Sequence, residues 1–405
     1  MRVAVAGAGA FGRNHLRVFR ELETAGQPVA LVAAVEPDAA RAADAAAKYA
    51  IPVFATVDEL LTARRTSGLR LDAATVAVPT VHHHAVASAL LEAGLDLLVE
   101  KPLAASLAEA DDLIRGAQIG GRILQPGHLE RFNPAVLAVQ PQLIRPMFFE
   151  AHRLSVFTPR ALDVDVVLDL MIHDLDIVLA FAGSPVREVR AVGLPILSPK
   201  VDIANVRVEF ESGCVANFTA SRVSTERVRK LRFFEPRQYV SIDYARRDVL
   251  VIRLDGRDSG VSGAGGVSDV SGVSRSPSAE VQAALTGGKV DLSKLDLSKI
   301  ALSGIDLSKV DLSGADPALL THLAIAASRA SGPAPGLSFA NPPVTSGEPL
   351  RLEIESFLDA VRTRREPRVT ARQGRDALAL ALEIQASMVA HAHRAGLEDF
   401  FAPGA

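Results

Sequence analysis

The spacing of apolar residues changes character along the chain. Over residues 1–125, continuous apolar runs alternate with segments whose apolar side chains recur every three to four positions. The runs "RVAVA", "PVALVAAV", "LDAATVAV" and "LDLLV" are unbroken rather than alternating, as strands buried on both faces are. The intervening "RNHLRVFREL", "ARAADAAAKYA", "DELLTARRTSG" and "HHHAVASALLEAG" have helical spacing. Strands alternating with helices predict a doubly wound parallel sheet.

From Arg145 to Leu254 the rhythm becomes that of strands. "RPMFFEAHRLS", "VREVRAVGLPIL", "DIANVRVEFE", "CVANFTASRV", "KLRFFEP", "QYVSIDY" and "DVLVIRL" are short and separated by turn residues. Several alternate in polarity, so one face of the sheet is expected to be open. One helical segment interrupts them. "VLDLMIHDLDIVLAF" sets Asp169, His173, Asp174 and Asp176 among apolar residues. At helical spacing Asp169, His173 and Asp176 share a polar stripe, while Asp174 is expected to face solvent. A carboxylate beside an imidazole raises its pKa and fixes its tautomer, which suits a general base. The other reading of that stripe is a helix face meeting water or capping a neighbour.

Two helices end the chain, the first with Leu350, Ile354, Phe357, Leu358 and Val361 on one face. Residues 255–347 are rich in Gly, Ser and Pro, and no strand or helix is predicted before Leu350. Within them "VDLSK LDLSK IALSG IDLSK VDLSG", residues 290–314, repeats with a period of five. That fits neither the strand nor the helix period and is similar to pentapeptide repeats. One coil docked on the sheet or a subunit interface, and a flexible insertion, are the two readings. The organisation is therefore residues 1–125 as a doubly wound domain, 126–254 with 348–405 as a mostly stranded domain, and 255–347 as an insert.

A chain of 405 residues exceeds one small domain, in keeping with two. A net charge of -3 gives no basic footprint for nucleic acid or an anionic membrane. No apolar run reaches the ~18 residues of a membrane span. The single cysteine, Cys214, excludes an internal disulfide and fits a reducing, cytoplasmic compartment.

The glycine spacing carries the first chemistry. Gly7, Gly9 and Gly12 follow the first strand and open a helix, in G-x-G-x-x-G order with Ala10 and Phe11 between. The first glycine permits the turn, the second lets backbone approach a pyrophosphate, and the third brings helix against strand. Glu36 ends the second strand, where a carboxylate accepts from a ribose 2′-hydroxyl and repels a 2′-phosphate. NAD is expected over NADP, with Arg41 nearby as the residue that blurs the choice. Pro79, Glu100 and Lys101 stand at strand ends on the same sheet edge, the edge at which ligands bind. Lys101 is read as orienting a substrate oxygen and stabilising negative charge there; its alternative is a solvated strand end. His82, His83 and His84 are adjacent on a helix and share no face, so no metal site is expected.

The "GAGAFG" turn, Glu36, "EKP" and the Asp-x-x-x-His of "DLMIHDLD" resemble the Gfo/Idh/MocA oxidoreductases, over residues 1–250 and again at 348–393. That resemblance implies an NAD-binding Rossmann domain over residues 1–125, a substrate and assembly domain with a large, open, mostly antiparallel sheet over 126–254 and 348–405, and hydride transfer between a sugar or cyclitol hydroxyl and NAD or NADP. It implies Lys101, Asp169 and His173 as catalytic residues, with His83 beside the nicotinamide. It also implies a homodimer or homotetramer built on the open sheet face. "GHLERFNPA" with "VLDLMIHDLDI" is similar to the family's bacterial UDP-N-acetylglucosamine 3-dehydrogenases. A nucleotide sugar needs cations for its diphosphate. Arg131, Arg153 and Arg222 are assigned to substrate with Asp176, and Arg160 and Arg227 lie in segments that could help. A cyclitol or free-sugar dehydrogenase and a non-catalytic Rossmann binding or regulatory protein are the alternatives.

Overall fold

The computed structural model describes residues 1–158, 164–254 and 337–397. By its internal contacts the chain divides into two compact units, Met1–Leu250 with Asn341–Ala405, and Val251–Ala340.

The first unit opens with six parallel strands: β1 (Arg2–Ala6), β2 (Ala30–Val35), β3 (Val53–Phe54), β4 (Ala73–Val76), β5 (Asp96–Glu100) and β6 (Leu124–Gly127). Their order is β3-β2-β1-β4-β5-β6, so the winding reverses between β1 and β4. Helices α1 (Gly12–Thr24), α2 (Ala39–Tyr49), α3 (Val57–Thr66), α4 (His83–Glu92) and α5 (Leu107–Gly120) connect them. Short polar side chains start several of these helices. Asp38 accepts from Arg41 N–H, Thr56 from Glu59 N–H and Ser106 from Glu109 N–H, each satisfying a first-turn donor. Both faces of the sheet are covered. Leu90 and Leu91 of α4 and Leu113 of α5 lie in one apolar layer. Leu16, Phe19 and Leu22 of α1 lie in the other. The short α6 (Pro134–Val139) follows.

All seven strands expected between Arg145 and Leu254 form. In the first unit β7 (Phe148–Leu154), β8 (Val186–Leu194), β9 (Ile203–Phe210), β10 (Val215–Ser221), β11 (Val228–Glu235) and β12 (Gln238–Asp243) run in the order β12-β11-β7-β10-β9-β8. They are antiparallel except for the parallel pair β7 and β10. Burial alternates along β7, β9 and β10, so one face is interior. The helix α7 (Ile172–Ala182) lies in the chain between β7 and β8. The C-terminal helices α8 (Pro349–Thr363) and α9 (Ala371–Ala395) complete the unit. The sides of α8 carrying Leu350, Ile354 and Phe357 close the layer begun by α1. The long α9 packs on α7 and β8, its start fixed by a reciprocal Thr370–Gln373 capping box.

In the second unit the tail of β13 (Asp248–Leu254) pairs antiparallel with β14 (Leu337–Ala340), matching Val251 to Ala340 and Leu254 to Leu337. This strand departs from the expectation that no element precedes Leu350. Four residues are too few for a period to show, and only the partner strand defines them. The pentad repeat at 290–314 lies outside the described residues, as does Arg160. Among the described residues no helix is long and apolar enough to cross a membrane.

Candidate active site

The glycine turn stands at the carboxyl end of β1. Gly7 has φ +95°, and a Cβ there would meet the Ala77 carbonyl oxygen at 2.6 Å. A Cβ on Gly12 would fall 1.9 Å from the Gly7 carbonyl oxygen. Above Gly9 nothing lies within 4 Å of such a Cβ. Two glycines are thus required by the protein's own backbone, and the third leaves the free approach a pyrophosphate needs at a helix N-terminus. Ala10 and the ring of Phe11 are exposed beside it. These residues fit a bound dinucleotide. The buried Glu36 accepts from Ala8 N–H at 2.8 Å and Asp38 N–H at 3.0 Å, which ties the turn to the end of β2. Arg41 lies over it at 2.9 Å, with half its side chain in solvent. These hydrogen bonds hold the Glu36 carboxyl below its usual range against the opposing effect of burial.

Pro79 is exposed on the same edge, but two other residues assigned to the cofactor turn inward. The His83 ring is buried with Nδ1 2.8 Å from the Pro102 carbonyl and Nε2 2.9 Å from that of Val78. A neutral imidazole donates to only one of them, and burial lowers its pKa. It clasps two strand ends together. The Glu100 side chain meets the fully buried His15 Nε2 at 2.9 Å. A Cβ on Gly127 would lie 2.9 Å from that carboxyl, so the glycine makes room for it.

Lys101 follows β5 through a cis peptide to Pro102. Its largely buried ammonium donates to the carbonyls of Asp169 at 2.7 Å and Leu168 at 3.3 Å, and lies 4.0 Å from the Asp169 carboxylate. Those carbonyls belong to Val167–Met171, a π-helical turn ahead of α7. Such turns leave ordinary helical acceptors unused and recur at functional sites. Asp165 caps the turn, accepting from Val167 and Leu168 N–H at 2.9 and 3.0 Å. Burial lowers the Lys101 pKa, with Asp169 and Glu100 opposing.

His173 stands on the first turn of α7, half buried, with Nδ1 enclosed and unpartnered. No hydrogen bond joins it to Asp169, contrary to the expected stripe, because the π-helical turn shifts Asp169 out of register with the α-helical residues. The imidazole is not raised in pKa but held well below its usual value. Burial is the largest cause, followed by Lys101, Arg153, His128 and Arg229. It is therefore neutral and able to accept a proton beside a fixed cation. Asp174 also departs from its expected place. It is buried, not solvated, and takes Arg153 Nε at 2.7 Å and Nη2 at 3.0 Å.

The three arginines assigned to substrate are all buried against protein carboxylates. Arg153 also meets Glu130 at 3.1 Å. Arg131 meets Asp176 at 3.3 Å, and Arg222 lies 3.6 Å from Asp202 while donating to the Val164 carbonyl at 2.6 Å. Two groups near Asp176 escaped the sequence reading. His128, directly after β6, is buried with both ring nitrogens unpartnered, its Nδ1 3.8 Å from Asp176. Glu353 of α8 is wholly buried with neither carboxyl oxygen bonded, and burial, Glu100 and Asp176 raise its pKa well above the usual value. A signal existed for Glu353: it falls on the apolar face set by Leu350 and Phe357.

Residues 1–128 match the Gfo/Idh/MocA oxidoreductase family with its NAD-binding Rossmann fold, and residues 140–236 match that family's C-terminal domain. The chain is 38% identical over 245 residues to UDP-N-acetylglucosamine 3-dehydrogenase of Acidithiobacillus ferrooxidans, covering 60% of this chain and 74% of that one. It is 32% identical over 197 residues to inositol 2-dehydrogenase of Leifsonia xyli, covering 47% and 56%. The solved structure of the Acidithiobacillus ferrooxidans enzyme superposes with a TM-score of 0.71 at 29% identity, over 96% of this chain and 98% of that one. Levoglucosan dehydrogenase in complex with NADH shares the fold, with a TM-score of 0.69 at 14% identity over 96% and 97%.

Proposed function

Because the chain belongs to the Gfo/Idh/MocA oxidoreductase family, we propose that it is an NAD-dependent dehydrogenase acting on the 3-hydroxyl of a nucleotide sugar of the UDP-N-acetylglucosamine class. The observation that carries the chemistry is the pairing of a fixed Lys101 ammonium with a neutral His173 at the carboxyl edge of the sheet. Gly7, Gly9, Gly12 and Glu36 would hold the dinucleotide, and the nicotinamide accepts the hydride when bound. The chain's residues handle the proton. His173 takes it from the hydroxyl on an imidazole nitrogen, and Lys101 stabilises the charge developing on the oxygen. Asp169 contributes through its carbonyl, which fixes Lys101, and its carboxylate balances that charge. A non-catalytic binding protein has no use for such a pair. Glu36 opposes a 2′-phosphate, which supports NAD over NADP. The uncovered face of the second sheet supports assembly of the chain with copies of itself.

NADH formation measured with UDP-N-acetylglucosamine, myo-inositol and free N-acetylglucosamine tests this. The UDP-sugar is expected to have a kcat/KM at least about tenfold above the others, and NAD to bind at least about tenfold tighter than NADP. Turnover of inositol alone, or tighter binding of NADP, would sink the corresponding part.

A further inference from the structure

Among the described arginines whose charge acts on His173, Arg153 is paired with carboxylates and Arg229 is not. On β11 it stands directly opposite Arg153 of β7. Directly opposed residues of an antiparallel pair project to the same face. That face is the interior one, shared with Phe149 and Ala151 of β7 and Leu231 and Phe233 of β11. Like charges so placed repel. Arg153 is neutralised by Asp174 and Glu130. The Arg229 side chain has no hydrogen bond or ion pair with any described residue, and its Nε is buried without a partner. Its backbone is held by Tyr244 N–H donating to its carbonyl at 3.0 Å. Burial and Arg153 both depress its pKa, so the fold keeps a partly desolvated cation at a cost in stability. Its charge reaches the His173 imidazole.

We infer that Arg229 binds the anionic diphosphate of the substrate whose hydroxyl His173 deprotonates. This rests on the nucleotide-sugar reading above. An unpaired guanidinium offers two parallel N–H donors to a phosphate, and partial burial strengthens the contact. Arg131, Arg153 and Arg222 are already committed to Asp176, to Asp174 and Glu130, and to Asp202, so their charges are balanced within the protein.

The test uses the full chain saturated with NAD, titrated with UDP by calorimetry and assayed with UDP-N-acetylglucosamine. Arg229→Gln is expected to weaken UDP and raise the KM by at least about tenfold, the scale of a charged hydrogen bond. Affinity for NAD is expected to stay unchanged. The acid limb of kcat/KM is expected to move to higher pH, because one of the groups facing His173 is gone while Lys101, Arg153 and His128 remain. Arg229→Lys keeps the charge and is expected to hold that limb in place while recovering part of the UDP affinity. An Arg229→Gln variant that binds UDP as the wild type does overturns the assignment and leaves the nucleotide-sugar reading standing. A wild-type protein that oxidises a sugar but binds no UDP overturns both.

Discussion

A lysine ammonium whose protons face two peptide carbonyls is held in place rather than free to swing. Lys101 is such a group, at 2.7 and 3.3 Å from the Asp169 and Leu168 carbonyls. Its fixed charge keeps His173 neutral together with Arg153, His128 and Arg229, burial being the largest influence. The signs follow. His173 accepts a proton only when deprotonated, and its pKa lies below the ordinary 6.5, so activity falls only as pH drops below that value. Lys101 holds an anionic oxygen only when protonated, and its pKa lies below the ordinary 10.5, so an alkaline limb is expected beneath that value. Lys101→Met and His173→Ala are each expected to lower kcat/KM by at least about 100-fold, the range of acid–base catalysis. NAD binding is expected to survive, and the lysine variant to lose the alkaline limb. Steady-state rates across pH with the true substrate read this out. Near-normal turnover of either variant refutes the role given to that residue.

At the scale of elements, a window of sequence shows periodicity but not departures from it. Burial on both faces makes β1, β2, β4 and β5 unbroken apolar runs, and the three glycines mark their turn without outside help. The Asp169–His173 spacing was legible, but its geometry was not. A π-helical turn adds one residue to the local ladder, and nothing in "VLDLM" separates it from an α-helix. The element β6 hid behind the proline and glycine of "LQPG". The helix α8 was read correctly from its apolar face, but that face also holds Glu353 against Glu100 and Asp176. A carboxyl whose folded pKa is raised contributes stability that is complete below the ordinary 4.5 and lost as pH rises toward the folded value. One such proton changes stability by up to about 1.4 kcal/mol per pH unit. Glu353→Gln removes the charge that must otherwise be suppressed. Its melting temperature is expected to match the wild type under acid conditions and to exceed it progressively toward neutral pH. Parallel melting temperatures at every pH would show that the carboxyl does not titrate in that window.

Over the whole molecule, what the sequence withholds is which distant parts meet. The helix α8 closes the apolar layer begun by α1 more than 300 positions earlier. Each arginine's partner likewise depends on strand register, so Arg153, Arg131 and Arg222 read as free cations until Asp174, Glu130, Asp176 and Asp202 are seen beside them. The second unit has a simpler geometry at its ends. Leu254 and Leu337 are register partners, so the chain leaves and re-enters at neighbouring positions of one antiparallel pair. A two-residue Asn-Gly turn spans such a gap, since its backbone twist matches that of the flanking strands. Replacing residues 255–336 by Asn-Gly is therefore expected to leave a cooperatively melting protein whose affinity for NAD stays within about twofold of the wild type, a change below 0.5 kcal/mol on the scale where tenfold is about 1.4. The glycine turn, Lys101 and His173 all belong to the other unit, which keeps its own apolar layers. Light scattering and steady-state kinetics on the same variant then assign the removed residues. A changed number of subunits places them in assembly, a raised KM places them with substrate, and a loss of NAD binding refutes the expectation that the first unit binds NAD without them.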